Sequence, residues 1–444
     1  MKKLPIAFGT NGIRGNADVY PFTDVALYEI GVAIATWACK KYGRPKMLIG
    51  RDPRISGPRI QRALINGLHT RPVTIVDAGV IPTPGICQLI GAHPGYDCGI
   101  MISASHNKFA DNGIKIFDAK RGVLSEQDEQ EIVDLYYELE SQVGNTGKHD
   151  AFAVIEWATA AQKYQEAIAQ FFPQNFLKNK KIVLDCAHGA TAHIAPELFR
   201  RFGAQVIALG VSPDGTNIND NCGSQHTQNL QKEVLAQSAD AGFAFDGDGD
   251  RIVAVDKYGQ LKEGDDIVAL LLQLPEYDDT QTVVGTVMTN FGFELALKNQ
   301  GRSLIRTDVG DKYVAAALEE RQLPIGGELS GHVIVRDYLN SSDGLFVALK
   351  VLEAMSARLN WDMQTFIKVP QVLISVPVSC KKDLLSEPYA SLIAAHEKLL
   401  KNGRILVRYS GTENVLRVMT EDIESESARL VAQGLAQKLQ DVLK

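Results

Sequence analysis

The chain has 444 residues, 45% hydrophobic and 22% charged, the composition of a globular protein with about two to four domains. Its net charge of −7 and pI near 5.8 exclude a general nucleic-acid or anionic-membrane binder, so any phosphate has to be met by local basic groups. No stretch approaches the roughly 18 apolar residues of a membrane span. The apolar run after Lys2 and Lys3 is too short for a signal peptide, so the "NSS" at Asn340 carries no glycosylation meaning. The six cysteines are scattered without a C-x-x-C, which reads as reduced thiols in a cytoplasmic protein.

In chain order, three strand–turn–helix passages follow one another. "KMLIGRDPRISGPRIQRALINGL" starts at Lys46, "KIVLDCAHGATAHIAPELFRRFG" at Lys181 and "TVVGTVMTNFGFELALKNQG" at Thr282. Each predicts a short strand, a glycine-bearing turn and an amphipathic helix ending near glycine. A second apolar strand follows each ("VTIVDAG", "QVIALG", "SLIRTDVG"), then a third strand ending in a polar loop. Those loops are "SASHN" from Ser103, "DGDGDR" from Asp246 and "GGELSGH" from Gly326. The spacing is unequal, so this is no tight solenoid.

The recurring order predicts three similar α/β domains with mixed, mainly parallel sheets and right-handed crossovers. Ligand loops of such sheets lie at the carboxyl ends of strands. All three polar loops fall there and can converge on one cleft. From about residue 370 the pattern changes to a small α+β domain. Polar, glycine-bearing stretches near residue 150 and at about 256–266 mark the earlier boundaries. The division is 1–153, 154–256, 257–368 and 369–444.

"DGDGDR" carries the strongest chemical signal. Asp246, Asp248 and Asp250 alternate with glycines that let the backbone curl until the carboxylates converge. A hard divalent cation offsets their repulsion, and an oxygen-only set suits Mg²⁺. The plain alternative is a solvated acidic turn. An EF-hand is excluded, since Arg251 stands at loop position six and Lys257 at position twelve. Arg251 either balances the carboxylates or meets a phosphate.

In "GGELSGH", an extended loop would point Glu328, Ser330 and His332 one way, with carboxylate and hydroxyl suited to vicinal sugar hydroxyls. A glycine-flanked surface turn is the bland reading. "RYSGTENVLR" packs Arg408, Ser410, Gly411, Thr412 and Arg417 into ten residues, the parts of a phosphate clamp or of an ordinary hairpin turn. Neither a G-x-x-x-x-G-K-[ST] nor a G-x-G-x-x-G supports nucleotide binding. Ser105 has no G-x-S-x-G elbow around it. His106 reads as holding its loop through hydrogen bonds, and Lys115 reads by itself as a solvated side chain.

"FGTNGIRG" (8–15), "SASHN", "DGDGDR", "GGELSGH" and "RYSGTE" together resemble the α-D-phosphohexomutase superfamily in order and spacing, over essentially the whole chain. Within it the match to the bacterial phosphoglucosamine mutase family is close. "IVLDCAHGA", "PDGTNINDNCGS" and "VPQVLISV" support it. The resemblance implies three α/β domains and a C-terminal α+β domain around a central cleft.

It also implies conversion of glucosamine 6-phosphate to glucosamine 1-phosphate, upstream of UDP-N-acetylglucosamine and cell-wall precursors. Ser105 aligns with the phosphoryl-carrying serine, and one of its oxygens would join Asp246, Asp248 and Asp250 around one Mg²⁺. Glucosamine 1,6-bisphosphate would be the intermediate and activator. Lys115 takes the general acid/base position, with His332 the second candidate. Glu328 and Ser330 would read sugar hydroxyls. Arg408, Ser410, Gly411, Thr412 and Arg417 would hold the non-reacting phosphate, and Arg14 would help close the first-domain side. The partner is a small hexosamine phosphate, not nucleic acid or membrane, and the family allows a homodimer.

Asn11, Lys108, His188, Leu329 and Tyr409 depart from the family's usual residues. None is the serine or a metal ligand. Lys108 bears on the rigidity of the serine loop, and Leu329 on sugar choice. The competing enzyme is a phosphomannomutase/phosphoglucomutase. A non-catalytic sugar-phosphate sensor and a phosphatase are the readings from other classes.

Overall fold

The computed structural model describes residues 6–9, 12–120, 122–138, 153–358, 361–410 and 414–443. It divides into one unit of residues 1–280 with 308–364 and another of residues 281–307 with 365–444.

In the first unit, the strand Cys98–Ile102 is buried at all five positions. It lies parallel to Lys46–Arg51 on one edge and antiparallel to Asp111–Asp118 on the other. Thr74–Val80 and Ile155–Glu156 extend the sheet in parallel beyond Lys46–Arg51, and Ile13–Asn16 closes the opposite end antiparallel to Asp111–Asp118. The helices Asp24–Tyr42 and Gly57–Leu68 pack together over a core that includes Trp37, Ile49, Leu64, Ile100 and Ile116. Each such apolar side chain contributes about 1.5–3 kcal/mol by leaving water. The chain emerges from Ile102 at the carboxyl edge of this sheet, and the serine loop begins there.

A second sheet in the same unit runs Leu261–Lys262, Ile252–Asp256, Ala241–Phe245, Lys181–Asp185, Gln205–Leu209. Ala241–Phe245 is parallel to Lys181–Asp185, which is parallel to Gln205–Leu209. Val183, Leu230, Val234, Ala244 and Val255 form its core. The acidic loop leaves Phe245 and returns as Ile252–Asp256, antiparallel to the strand it left. An antiparallel hairpin, Ile325–Gly327 with Val333–Val335, and the helix Gly344–Ala357 also belong to this unit.

In the second unit, Thr282–Thr286 runs parallel to Ser303–Thr307. A three-stranded antiparallel sheet has Val415–Asp422 between Gln371–Pro377 and Gly403–Tyr409. The helix Ser425–Val442 covers it through Leu435 and Leu439, packed with Val376, Leu416 and Val418.

The first strands of all three repeated passages begin at Lys46, Lys181 and Thr282, where the sequence pattern starts them. Their polar loops follow Ile102, Phe245 and Gly327, each the last residue of a strand. Among the described residues no helix is long and apolar enough to cross a membrane.

Candidate active site

Ser105 sits at φ +55, in the left-handed region. That conformation costs a non-glycine residue about 1–3 kcal/mol and persists only where surrounding contacts impose it. Ser103 Oγ accepts from Ser105 N at 2.9 Å and donates to Asp52 Oδ2 at 2.7 Å. The fully buried Arg54 donates to the carbonyls of Ser105 (2.9 Å), Asn107 (2.7 Å), Asp111 (3.1 Å) and Lys108, and pairs with Asp52 at 2.8 Å. Asn219 Nδ2 donates to the carbonyls of Ser105 and Asn107, each at 2.9 Å. So the serine loop, on whose rigidity Lys108 bears, is tied down through its carbonyls, Lys108's included.

Held in this way, Ser105 Oγ donates to Asp246 Oδ2 at 2.6 Å, and His106 Nδ1 lies 3.3 Å from the same Oγ. Burial, then Arg251 and Arg14, hold His106 down at about 3, so its ring is neutral at ordinary pH.

Close packing forms the acidic loop. A Cβ on Gly247 would stand 2.7 Å from Ser105 O and from Ile218 Cδ1, so only glycine fits. Asp246, Asp248 and Asp250 are all buried, and their carboxylate oxygens lie within 4.8 Å of one another. Burial, then Asp250 and Asp248, push Asp246 up to about 7. Asp250 is pulled well below the usual carboxylate range: burial opposes ionisation, but Lys115 and His332 outweigh it. Asp248 Oδ1 is buried without a hydrogen-bond partner. Three hard oxygen donors and one unsatisfied carboxylate oxygen fit a divalent cation of the Mg²⁺ type.

Lys115 is not solvated. It lies on Asp111–Asp118 opposite Met101, is 5% exposed, and its Nζ is 2.6 Å from both Asp248 Oδ2 and Asp250 Oδ2. Burial alone would lower its pKa, but the two aspartates raise it, so the group is an ammonium. Arg251 donates its backbone N–H to Asp246 Oδ1 at 3.2 Å and brings Nε within 4.0 Å of Asp246 Oδ2. Arg14, on Ile13–Asn16, has buried Nε and Nη2 atoms without hydrogen-bond partners.

The "GGELSGH" loop is not extended. Glu328 N donates to His332 O at 2.8 Å and Gly331, at φ +93, bonds back to Glu328 O at 3.0 Å, so the chain makes a tight turn. The turn buries Glu328 and His332 and leaves Ser330 exposed and Leu329 half-buried. Glu328 Oε1 accepts from Gly310 N at 2.9 Å, and Oε2 meets His332 Nδ1 at 2.8 Å. His332 Nε2 reaches Asp250 Oδ1 at 3.1 Å. Burial and Arg251 lower the His332 pKa, but Asp250 and Glu328 outweigh them and bring it to about 10. Both ring nitrogens therefore donate.

In the second unit, Arg408 on Gly403–Tyr409 stands directly opposite Arg417 on Val415–Asp422, which puts both side chains on one face of the hairpin. Ser410 is buried and its N–H donates to Val415 O at 2.9 Å. Gly411 and Thr412, like Asn11, lie outside the described residues.

Four family models cover the chain in order: the phosphoglucomutase/phosphomannomutase alpha/beta/alpha domains I (5–143), II (162–259) and III (263–371), and the C-terminal domain (373–438). A phosphoglucosamine mutase of Syntrophus aciditrophicus is 40% identical over 98% of this chain and 99% of its own length.

The chain belongs to the phosphoglucomutase/phosphomannomutase family, within the α-D-phosphohexomutases.

Membership makes it an enzyme of the isomerase class. A phosphoglucosamine mutase of Corynebacterium glutamicum is 41% identical, again over 98% of this chain and 99% of the relative. Among solved structures, a phosphoglucomutase/phosphomannomutase family protein of Burkholderia thailandensis superposes with a TM-score of 0.81 at 22% identity, covering 97% of both chains. The Aspergillus fumigatus N-acetylphosphoglucosamine mutase in complex with GlcNAc-6P and magnesium gives 0.69 at 17% identity, over 99% of this chain and 96% of that one. Those two likenesses carry the family fold.

Sequence reading singled out Ser105 and the three aspartates but passed over Asp52, Arg54, Thr83, Ser103 and Asn219. The signal for Asp52 and Arg54 was available. "RDPR" is a charged turn at the end of the strand Lys46–Arg51, the same carboxyl edge that carries Ser105.

Proposed function

We propose that this chain interconverts glucosamine 6-phosphate and glucosamine 1-phosphate through a phosphoserine at Ser105. The single observation that carries the reading is the 2.6 Å hydrogen bond from Ser105 Oγ to Asp246, which sets the hydroxyl against a buried three-carboxylate cluster. Its curated relatives, phosphoglucosamine mutases matched over nearly their whole length, support this substrate.

A serine hydroxyl is a weak nucleophile without a base, whereas a phosphoseryl group is a ready donor. In the forward reaction the sugar O1 attacks phosphorus, the P–Oγ bond of Ser105 breaks, the O1 hydroxyl proton passes to the leaving Ser105 Oγ, and the 1,6-bisphosphate forms. The bisphosphate then presents its 6-phosphoryl group, Ser105 Oγ attacks it, the P–O6 bond breaks, the serine hydroxyl proton passes to O6, and glucosamine 1-phosphate leaves. Atoms balance without a co-substrate, because the phosphoryl group lent to O1 is regained from O6.

Asp246, Asp248 and Asp250 would hold one Mg²⁺, which supplies neutralising charge to the transferring phosphoryl group. Lys115 and His332, both protonated beside the same carboxylates, are assigned to proton transfer and charge stabilisation. Arg251 and Arg14, whose buried Nε and Nη2 have no hydrogen-bond partner, supply further positive charge. Ser330 offers an exposed hydroxyl to the sugar. Glu328 already accepts one hydrogen bond on each oxygen, so it takes a sugar hydroxyl through remaining lone pairs. Arg408, Ser410, Gly411, Thr412 and Arg417 are assigned to the non-reacting phosphate. We read the chain as four domains, 1–153, 154–256, 257–368 and 369–444.

The test is intact-protein mass with peptide mapping, beside assays on each hexose 6-phosphate. A phosphoryl group on Ser105, with preference for glucosamine 6-phosphate, is the expected result. A phosphoryl group on Ser103 instead, or equal turnover of mannose and glucose 6-phosphates, would overturn the serine or the sugar assignment respectively.

A further inference from the structure

Thr83 is the first residue of the helix Thr83–Ala92, which begins after Pro82 with no side-chain cap. Its hydroxyl is therefore not used by its own helix. Thr83 is 2% exposed, and its Oγ1 donates to Asp248 Oδ2 at 2.5 Å. Separately, its backbone N–H donates to the Asp248 carbonyl at 2.9 Å. The acidic loop is seated tightly at this point: Gly249, at φ +73, would bring a Cβ within 2.6 Å of Thr191 Cγ2 and 3.3 Å of Pro82 Cβ.

The oxygens of Asp248 are used unequally. Oδ2 accepts from both Thr83 and Lys115, while the buried Oδ1 has no hydrogen-bond partner. Its two neighbours differ. Asp246 accepts from Ser105 Oγ on one oxygen and Arg251 N on the other, and Asp250 meets Lys115 and His332. A carboxylate turns readily about its Cβ–Cγ bond. Lys115, shared with Asp250, restrains that rotation less well than two donors acting together.

We propose that Thr83 is a positioning residue for the divalent cation, holding Asp248 so that Oδ1 alone is offered to the metal. This rests on the metal assignment above and adds a selectivity element to it. A carboxylate limited to one oxygen suits the small, near-octahedral Mg²⁺ shell, whereas Ca²⁺ commonly takes both oxygens of a carboxylate in a larger shell. The backbone bond from Thr83 joins the two segments without the hydroxyl, so the hydroxyl's contribution can be separated from folding.

The experiment measures Mg²⁺ and Ca²⁺ dissociation constants by calorimetric titration of the full-length, dephosphorylated protein, as wild type, Thr83→Val and Thr83→Ser. Metal-free melting temperatures serve as the folding check. Thr83→Val should weaken Mg²⁺ binding by about tenfold or more, the scale of losing an outer hydrogen bond to a metal ligand. Ca²⁺ affinity should change less, so the preference for Mg²⁺ falls. Thr83→Ser, which keeps the hydroxyl, should retain both the affinity and the preference. Should Thr83→Val not fold, Thr83→Ala makes the same comparison. Wild-type Mg²⁺ affinity in the folded variant, or an equal loss for both cations, would overturn the proposal. Wild-type protein that bound neither cation would instead overturn the metal assignment on which it stands.

Discussion

Ser105 Oγ and Asp246 Oδ2 are joined by a 2.6 Å hydrogen bond across 141 residues of sequence. The loops that carry them end strands of different sheets, and each is fixed before the two meet. Arg54 and Asn219 hold the serine loop, and the glycines let the acidic loop turn against it.

The metal assignment makes the first prediction. Asp248→Asn removes one charge and keeps the side chain's shape, so Mg²⁺ affinity and turnover should fall together, by at least tenfold, while the fold persists. Titrating both against added Mg²⁺ reads this directly. Turnover by chelated wild-type protein would contradict it.

Lys115 compensates buried charge. Lys115→Met leaves Asp248 and Asp250 without their shared cation, a loss of about 3–5 kcal/mol for breaking a buried pair. The metal-free melting temperature should drop, and added Mg²⁺ should restore part of it. A melting temperature equal to wild type in chelator would show that Lys115 does not stabilise the cluster.

His106 gives a pH prediction with a definite sign. Its pKa is about 3 in the folded protein, below the ordinary 6.5 of the unfolded chain. The unfolded state therefore binds the extra proton first, and stability is lost as pH falls below 6.5. Between pH 7.5 and 5 the loss is about 2 kcal/mol. His106→Gln in dephosphorylated protein should remove that part of the pH dependence. Urea midpoints at the two pH values measure it, and parallel losses in both proteins would contradict the assignment.

Arg417→Ala should weaken substrate binding about 10- to 100-fold, the scale of one charge-assisted bond to phosphate. Phosphorylation of Ser105 by the bisphosphate should slow but remain. Unchanged substrate affinity would remove the hairpin from the phosphate site.

The sequence exposed the strand starts because they are apolar runs punctuated by glycine. It exposed Asp246, Asp248 and Asp250 because their spacing is itself a chemical pattern. Lys115 read as solvated because its burial depends on two aspartates more than a hundred residues away. The glycines around Glu328 read as a surface turn, and the turn is there, but local residues do not register that contacts with Gly310 and Asp250 bury Glu328 and His332 in it. Thr83 and Asn219 act through contacts to other segments, and no local spacing encodes those contacts.

The most direct test of the phosphoseryl mechanism is the isomerisation rate of Ser105→Ala on glucosamine 6-phosphate, with glucosamine 1,6-bisphosphate and Mg²⁺ present. Ser103 cannot readily replace it, since its hydroxyl is already engaged by Asp52 and by Ser105 N. The variant keeps the loop's size and lacks the acceptor, so its rate should be background, while the same additions restore dephosphorylated wild type. An alanine variant that still formed glucosamine 1-phosphate at a wild-type rate would contradict the mechanism and reduce Ser105 to a residue that shapes its loop.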